Sequence, residues 1–294
     1  MRRAPAPILA LVAVTAIWGY TFVPVQKAVG AYPLFAFLAV RFAISTLALA
    51  PFAWGPLRAL PRAGWAAGIV AGSFLALAYG LQTAGLELTT VTSTGFITGL
   101  YVVFTPLLAL AAFRTPVPAP VWIGVVFALA GLLLLSGAPG GSWTGNLLVL
   151  GNAVAQSFQI VAMERWAPRY DARALTILQM AVAFAGFAVV ALAAGQVEAP
   201  PDAATWYALV VTGVFAGALG YLVSTWVQSR TTAARAALVF TLEAPFAALF
   251  GVLLLSERLG WAGWTGCVVM LAGIVLAEPA AAATLRRLVS ARAG

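Results

Sequence analysis

Histidine is absent from the chain, and cysteine and lysine occur once each, at Cys267 and Lys27. Without histidine the chain cannot form a histidine zinc site, a histidine proton relay, or a Ser-His or Cys-His pair. A lone cysteine cannot form an intramolecular disulfide, so it indicates no redox compartment. ATP-binding motifs are absent as well. We therefore expect no metal, no cofactor and no catalytic residues, and the chain is not predicted to be an enzyme.

Charge is also scarce. Charged residues make up 8% of the 294 residues, hydrophobic residues make up 63%, and the mean hydropathy is +1.01. Soluble globular domains do not have this composition. Ten helices of about 20 residues would use roughly 200 residues and leave short connections. We interpret the net charge of +8 as orienting the chain in a lipid bilayer, with no nucleic-acid partner.

Apolar runs separated by polar, glycine-rich or proline-rich segments predict an all-α polytopic membrane protein with ten transmembrane helices. Predicted spans 1 to 10 lie at about residues 6–26, 33–54, 64–86, 93–113, 121–136, 145–163, 174–194, 205–227, 232–255 and 260–277. The N-terminal run is too long for the hydrophobic part of a signal peptide, so we interpret it as a retained first span.

Arginine is distributed unevenly over the predicted loops. With a cytoplasmic N-terminus, only Lys27 and Arg258 lie on the outer side. Thirteen arginines then lie on the inner side: Arg2, Arg3, Arg58, Arg62, Arg114, Arg165, Arg169, Arg173, Arg230, Arg235, Arg286, Arg287 and Arg292. Because cytoplasmic loops are enriched in basic residues, this predicts a multi-pass membrane protein with both termini in the cytoplasm.

The two halves of the chain contain matched residues in the same order. The pairs are Trp18-Gly19 with Gln156-Ser157 and Arg41-Phe42 with Gln179-Met180, each 138 positions apart, Thr105-Pro106 with Ala244-Pro245 at 139, and Trp122-x-Gly124 and Ala130-Gly131 with Trp264-x-Gly266 and Ala272-Gly273 at 142. We predict two five-helix repeats, residues 1–138 and 139–294. Because five is odd, the repeats insert with opposite orientation, and a substrate site is expected where they meet.

Glycines recur every four residues in three predicted spans. They are Gly64, Gly68 and Gly72 in span 3, Gly95 and Gly99 in span 4, and Gly213 and Gly217 in span 8. This spacing is typical of surfaces at which membrane helices approach closely, and we do not interpret it as a ligand site.

Several of these segments resemble the EamA-type branch of the drug/metabolite transporter superfamily. The residues that carry the resemblance are Ala16-Ile17-Trp18-Gly19, Val40-Arg41-Phe42, the block Thr231–Leu259 and the stretch Trp264–Gly273. The resemblance implies a ten-helix inner-membrane exporter of amino acids and other small metabolites. One position departs from the family pattern, because Gln156 stands where a tryptophan is expected in the first helix of the second repeat.

The stretch Thr231–Phe246 contains a carboxylate, Glu243, and a proline, Pro245, within a predicted span. A charge at membrane depth costs roughly 2.5–3.5 kcal/mol unless it meets a partner or water. Glu243 is therefore either a coupling or gating group beside a cavity, or a structural group that pairs with the backbone freed by Pro245. Pro106 and Pro245 occupy matched positions, and each is either a tolerated kink or a gating hinge.

Arg41 lies about eight residues inside span 2. Its guanidinium would suit a substrate carboxylate. The same side chain would alternatively extend outward to the membrane interface or cap a neighbouring helix. The sequence favours the structural role, and we also retain Arg41 as a candidate gating residue.

Three amides, Asn152, Gln156 and Gln159, share one face of span 6 because they are spaced four and three residues apart. Interhelical hydrogen bonds would explain part of this stripe, and cavity lining would explain all of it. Aromatic residues away from the predicted span ends supply either helix packing or cavity walls. Those selected as substrate-binding candidates are Trp18, Tyr79, Tyr101 and Phe240.

These features predict a secondary transporter that exports amino acids or related small amphipathic metabolites by alternating access. The substrate would lie in a central cavity formed by spans 1, 3, 4, 6, 8 and 9. The alternatives are a non-transporting sensor or assembly subunit, and a transporter of other small metabolites such as drugs or sugar phosphates. Proton coupling, net direction and oligomeric state are left open.

Overall fold

The computed structural model describes residues 6–114, 116–136, 142–255 and 258–277, and every regular element in these ranges is helical. The terminal arginines used to predict the orientation, Arg2, Arg3, Arg286, Arg287 and Arg292, lie outside the described residues. The helices are α1 (Ala6–Val29), α2 (Leu34–Arg58), α3 (Arg62–Leu88), α4 (Val91–Gly99), α5 (Tyr101–Phe113), α6 (Ala119–Ser136), α7 (Trp143–Trp166), α8 (Ala172–Ala193), α9 (Ala203–Val210), α10 (Tyr221–Gln228), α11 (Ala233–Phe240), α12 (Glu243–Leu255) and α13 (Trp261–Ala277).

The helices form ten apolar stretches in the order that the sequence predicts. Eight stretches of the described residues are long and apolar enough to cross a membrane, and α6 and α13 are two shorter apolar helices. Two of the eight join α4 to α5 and α11 to α12, and a third runs from α9 through α10. The structure therefore confirms the all-α, polytopic membrane fold.

Spans 4 and 9, each predicted as one helix with a proline kink or hinge, are both interrupted. The break between α11 and α12 lies at Thr241 and Leu242. Here backbone hydrogen bonds join residues three apart in place of four: Leu242 donates to Val239, and Ala244 donates to Thr241. Pro245 has no N–H with which to reach Thr241 in a regular helix, which explains the change. The break between α4 and α5 lies at Leu100, directly after Gly99.

Span 8 also departs from a regular α-helix. Residues Val211–Gly220, between α9 and α10, are π-helical. Two of their backbone carbonyls accept bonds from side chains of other helices, at Gly213 from the Ser45 hydroxyl (2.8 Å) and at Ala216 from the Trp18 indole (3.0 Å). Wide turns of this kind are rare and frequently lie at functional sites.

Glycine brings neighbouring helices into close contact, as the four-residue spacing predicts. A Cβ added to Gly72 of α3 would lie 2.8 Å from the Val182 Cβ of α8, and one added to Gly213 would lie 3.0 Å from the Arg41 carbonyl of α2. Gly95 is the exception, since its added Cβ would make only an ordinary contact, at 3.6 Å from Ala247.

The contact between α6 and α13 is reciprocal. A Cβ on Gly131 would lie 2.6 Å from the Gly266 carbonyl, and a Cβ on Gly124 would lie 3.0 Å from the Gly273 carbonyl. Gly124 and Gly266 are sequence-matched positions, and so are Gly131 and Gly273. Gly131 therefore meets the match of Gly124, and Gly124 meets the match of Gly131. A two-fold relation between the halves requires this pattern.

We expect Gly131→Ala to destabilise the α6–α13 contact by about 1–3 kcal/mol, because the added methyl group meets backbone atoms that cannot rotate away. Thermal unfolding of the detergent-solubilised protein measures this effect. Gly186→Ala is the matched control, because nothing lies within 4 Å of a Cβ added to that helical glycine. Equal melting temperatures for the two variants would contradict the close packing.

Candidate functional site

A cavity lies among helices from both halves of the chain, and we call it the main cavity. It is lined by residues of α1, α3, α4, α5, α7, α10, α11 and α12, which belong to predicted spans 1, 3, 4, 6, 8 and 9. Seven lining residues were sequence candidates: Trp18, Tyr79, Tyr101, Asn152, Gln156, Phe240 and Glu243. The other five are Ala78, Gln82, Thr98, Ile160 and Tyr221.

A second cavity adjoins the main cavity, and we call it the arginine cavity because Arg41 lines it. Four residues line both cavities and form their common wall: Trp18, Tyr79, Gln82 and Glu243. Asn152 and Gln156 line only the main cavity, and Arg41 lines only the arginine cavity. The two cavities therefore differ in polar character and share Glu243.

Trp18 is held rigidly at the common wall. Its indole N–H donates to the Ala216 carbonyl of the π-helical segment at 3.0 Å. Its ring packs against Tyr221 and Phe240, with centroid distances of 5.2 and 5.4 Å. Since the only donor of the indole is already used, Trp18 presents an aromatic face to the cavities.

Glu243 is the first residue of α12, directly after the break in span 9. Gly19 of α1 permits this position, because a Cβ at Gly19 would lie 2.8 Å from the Glu243 carbonyl and 2.7 Å from the Ala247 amide. Next to Trp18, Gly19 therefore lets α1 lie directly against the first turn of α12. The Glu243 side chain makes no ion pair within the described part of the chain.

Arg41 is buried, with 3% of its surface exposed, so it does not extend to the membrane interface. Its guanidinium carbon lies 4.5 Å from the centre of the Tyr79 ring, a cation–π arrangement. Its Nε has no hydrogen-bond partner among the described residues. A buried donor without a partner is costly, and Arg41 lies at the wall of the arginine cavity.

The three predicted amides of α7 have different surroundings. Asn152, 2% exposed, lines the main cavity, and its Oδ1 has no partner among the described residues. Gln156 also lines the main cavity and donates to Gln159 at 3.3 Å. Gln159 does not line the cavity; it is 1% exposed and donates to Gln179 of α8 at 2.8 Å.

Neither predicted hinge proline lines the main cavity or the arginine cavity. Pro106 lies within α5, and Pro245 lies in the first turn of α12. Both are therefore close in sequence to cavity residues, Tyr101 and Glu243, without facing the cavities themselves.

Gln82 and Tyr221 line the cavity although the sequence did not single them out. The repeat could have identified them, because they lie 139 positions apart, which is within the range of offsets between the two halves. Tyr101 and Phe240 also lie 139 apart, and Trp18 and Gln156 lie 138 apart. Three of the lining pairs therefore combine matched positions of the two halves.

Comparison with known proteins agrees with this architecture. An Archaeoglobus fulgidus protein described as an uncharacterized transporter is 30% identical over 273 residues, which cover 91% of this chain and 84% of that protein. A crystal structure matches 97% of this chain and 99% of its own chain with a TM-score of 0.77, at 20% identity, and so shares the fold.

A model of the EamA-like transporter family matches the chain twice, at residues 5–137 and 143–277. Each match contributes residues to the main cavity. The chain therefore belongs to the EamA-like transporter family and is a multi-pass membrane transporter of small molecules.

Proposed function

We propose that this transporter exports amino acids or related small amphipathic metabolites across the bacterial inner membrane by alternating access. Both termini would lie in the cytoplasm. The substrate would occupy the main cavity and reach into the arginine cavity. Substrate or proton gradients would supply the energy.

The observation that carries the substrate class is that a fixed positive charge and several hydrogen-bond acceptors lie at two adjoining cavities. Arg41 places a fixed positive charge at the wall of the arginine cavity. Asn152, Gln156 and Glu243 offer amide and carboxylate oxygens to the main cavity. A zwitterion complements both, because its carboxylate would pair with Arg41 while its ammonium group meets the oxygens.

The aromatic walls suit the rest of such a molecule. Trp18, Tyr221 and Phe240 form one packed group, and Tyr79 lies 6.1 Å from Tyr221 between their ring centres. Small-molecule sites typically combine apolar and aromatic walls with a few placed polar groups. The apolar part of an amphipathic metabolite would pack on these rings and on Tyr101.

Alternating access is supported by features of both halves. The family model matches each half separately, and the α6–α13 contact is reciprocal between matched glycines. The main cavity lies where residues of the two halves meet, which is where inverted-repeat transporters bind substrate. The breaks at Leu100 and at Thr241 and Leu242, with Pro106 and Pro245 just beyond them, are the proposed hinges.

Flux into proteoliposomes, screened over amino acids with and without a pH gradient, tests the proposal directly. We expect flux of at least one apolar amino acid, with leucine as the first probe. Absence of flux for every amino acid would refute the substrate class. Absence of flux for all small metabolites would instead favour a non-transporting sensor or assembly subunit.

Arg41→Gln should weaken binding of 4-methylpentanoate, which carries leucine's carboxylate without its ammonium group, by about tenfold or more, since hydrogen bonds to charged groups contribute roughly 1.5–3 kcal/mol. Leucinamide, which has no carboxylate, should bind as before. Isothermal titration calorimetry in detergent measures both. Arg58→Gln is the control, because Arg58 is exposed and packs on Trp54 instead. Unchanged carboxylate binding would exclude Arg41 as its partner.

Glu243→Gln should abolish the response of leucine flux to an imposed pH gradient, because the amide cannot take up or release a proton. The other groups at its cavities that carry charge or titrate are Arg41, Tyr79, Tyr101 and Tyr221, and they remain in place. Glu87→Gln serves as the control, since Glu87 is exposed at the end of α3. A variant that retains flux and its pH response would show that the Glu243 carboxylate is structural.

A further inference from the structure

A chain of three side-chain amides leads from the main cavity into the interface between α7 and α8. Gln156 donates from Nε2 to Oε1 of Gln159 at 3.3 Å, and Gln159 donates from Nε2 to Oε1 of Gln179 at 2.8 Å. Gln179 ends the chain by donating to the Leu175 carbonyl at 3.2 Å, with the Met163 sulfur at 3.5 Å. Gln159 and Gln179 are 1% and 0% exposed, so water does not replace these bonds.

The last acceptor determines the direction of every bond in the chain. A backbone carbonyl can only accept, so Gln179 must turn its NH₂ group towards Leu175 and its oxygen towards Gln159. Gln159 must then donate to Gln179 and accept from Gln156. Reversing Gln156 would place two amide oxygens against each other, and the buried donors and acceptors would lose their partners.

The consequence for the cavity is that Gln156 presents an oxygen. One N–H of its NH₂ group bonds to Gln159, which fixes the direction of the amide, and its Oε1 has no hydrogen-bond partner among the described residues. Asn152, one helical turn away and 2% exposed, makes no hydrogen bond within the described residues and supplies a second free amide to the same cavity. The cavity wall formed by α7 therefore accepts hydrogen bonds at Gln156.

We propose that the Gln156–Gln159–Gln179 chain makes the α7 wall a selective site for the substrate's ammonium group. Gln156 accepts a hydrogen bond from that group through Oε1. Gln159 and Gln179 touch no substrate and act as positioning residues that hold the Gln156 amide in this orientation. The inference rests on the proposed function and adds that Gln159 and Gln179 determine which atom of Gln156 meets the substrate.

Binding of three probes to the purified, detergent-solubilised full chain tests this orientation. The probes are leucine, leucinamide, which keeps the ammonium group, and 4-methylpentanoate, which lacks it. Gln159→Leu removes the acceptor that holds Gln156, so the amide can rotate. We expect leucinamide to bind about tenfold more weakly, while 4-methylpentanoate binds equally well or more tightly.

Two further variants separate orientation from packing. Gln159→Glu in its neutral form keeps a carbonyl oxygen facing Gln156 and gains a hydroxyl that donates to Gln179 in place of the amide. It should therefore restore leucinamide binding to within about twofold of wild type, a change that is small against the loss of one hydrogen bond. Gln228→Leu removes a buried amide that bonds only to Ser224 of α10, and it should change binding of no probe. If Gln159→Leu does not fold, Gln179→Leu disconnects the same chain one residue further from the cavity.

The outcomes distinguish this inference from the proposed function. Equal losses for leucinamide and 4-methylpentanoate in Gln159→Leu would show that the chain serves packing only and would overturn the inference. Unchanged binding of both probes would overturn it equally. In either case the proposed function, which leucine flux tests, would be unaffected. If wild type binds none of the probes and carries no amino acid, the proposed function and the inference both fail.

Discussion

In a lipid bilayer, the backbone N–H and C=O groups have no water to bond, so a chain must satisfy them within itself. Regular helices meet this requirement over most of the molecule, and the deviations lie around the cavities. The breaks before Tyr101 and Glu243 and the π-helical segment Val211–Gly220 all adjoin residues that line the main cavity. At the π-helical segment, side chains of α1 and α2 bond to the carbonyls of Ala216 and Gly213. Irregular backbone is thus tolerated where protein or a cavity surrounds it.

The same bonds position the groups that face the cavities. Because the only donor of the Trp18 indole bonds to the Ala216 carbonyl, the ring has a defined orientation at the cavity wall. Because Gln159 and Gln179 hold the amide of Gln156, that side chain has a defined direction. Glycine contributes by allowing short distances, as at Gly19, which brings α1 against the start of α12 and so places Glu243 beside Trp18. The hydrogen bonds that stabilise the helix contacts therefore also set the orientation of side chains that face the cavities.

Much of the fold could be predicted because membrane insertion is recorded in local composition. Hydropathy and span length predicted ten apolar helices, and offsets near 138 to 142 predicted matched halves. Several cavity residues could also be predicted, because a polar or aromatic side chain such as Gln156 or Trp18 inside an apolar run is unusual. Gln82 and Tyr221 were missed because a single glutamine or tyrosine has many structural explanations, and only the pairing of the halves distinguishes them. Gln159 belonged to the predicted stripe, but burial against Gln179 depends on how α7 packs on α8.

The sequence by itself determined the all-helical membrane fold, the order of the spans and the family to which the chain belongs, because hydrophobicity, charge and motif are properties of neighbouring residues. The tertiary structure alone decided that Arg41 is buried beside Tyr79 and not extended to the interface. It also decided that Glu243 begins a helix at a break, and that a carbonyl of α8 sets the direction of an amide on α7. These outcomes depend on which helix faces meet and how closely, and that is a property of distant segments which no local pattern contains.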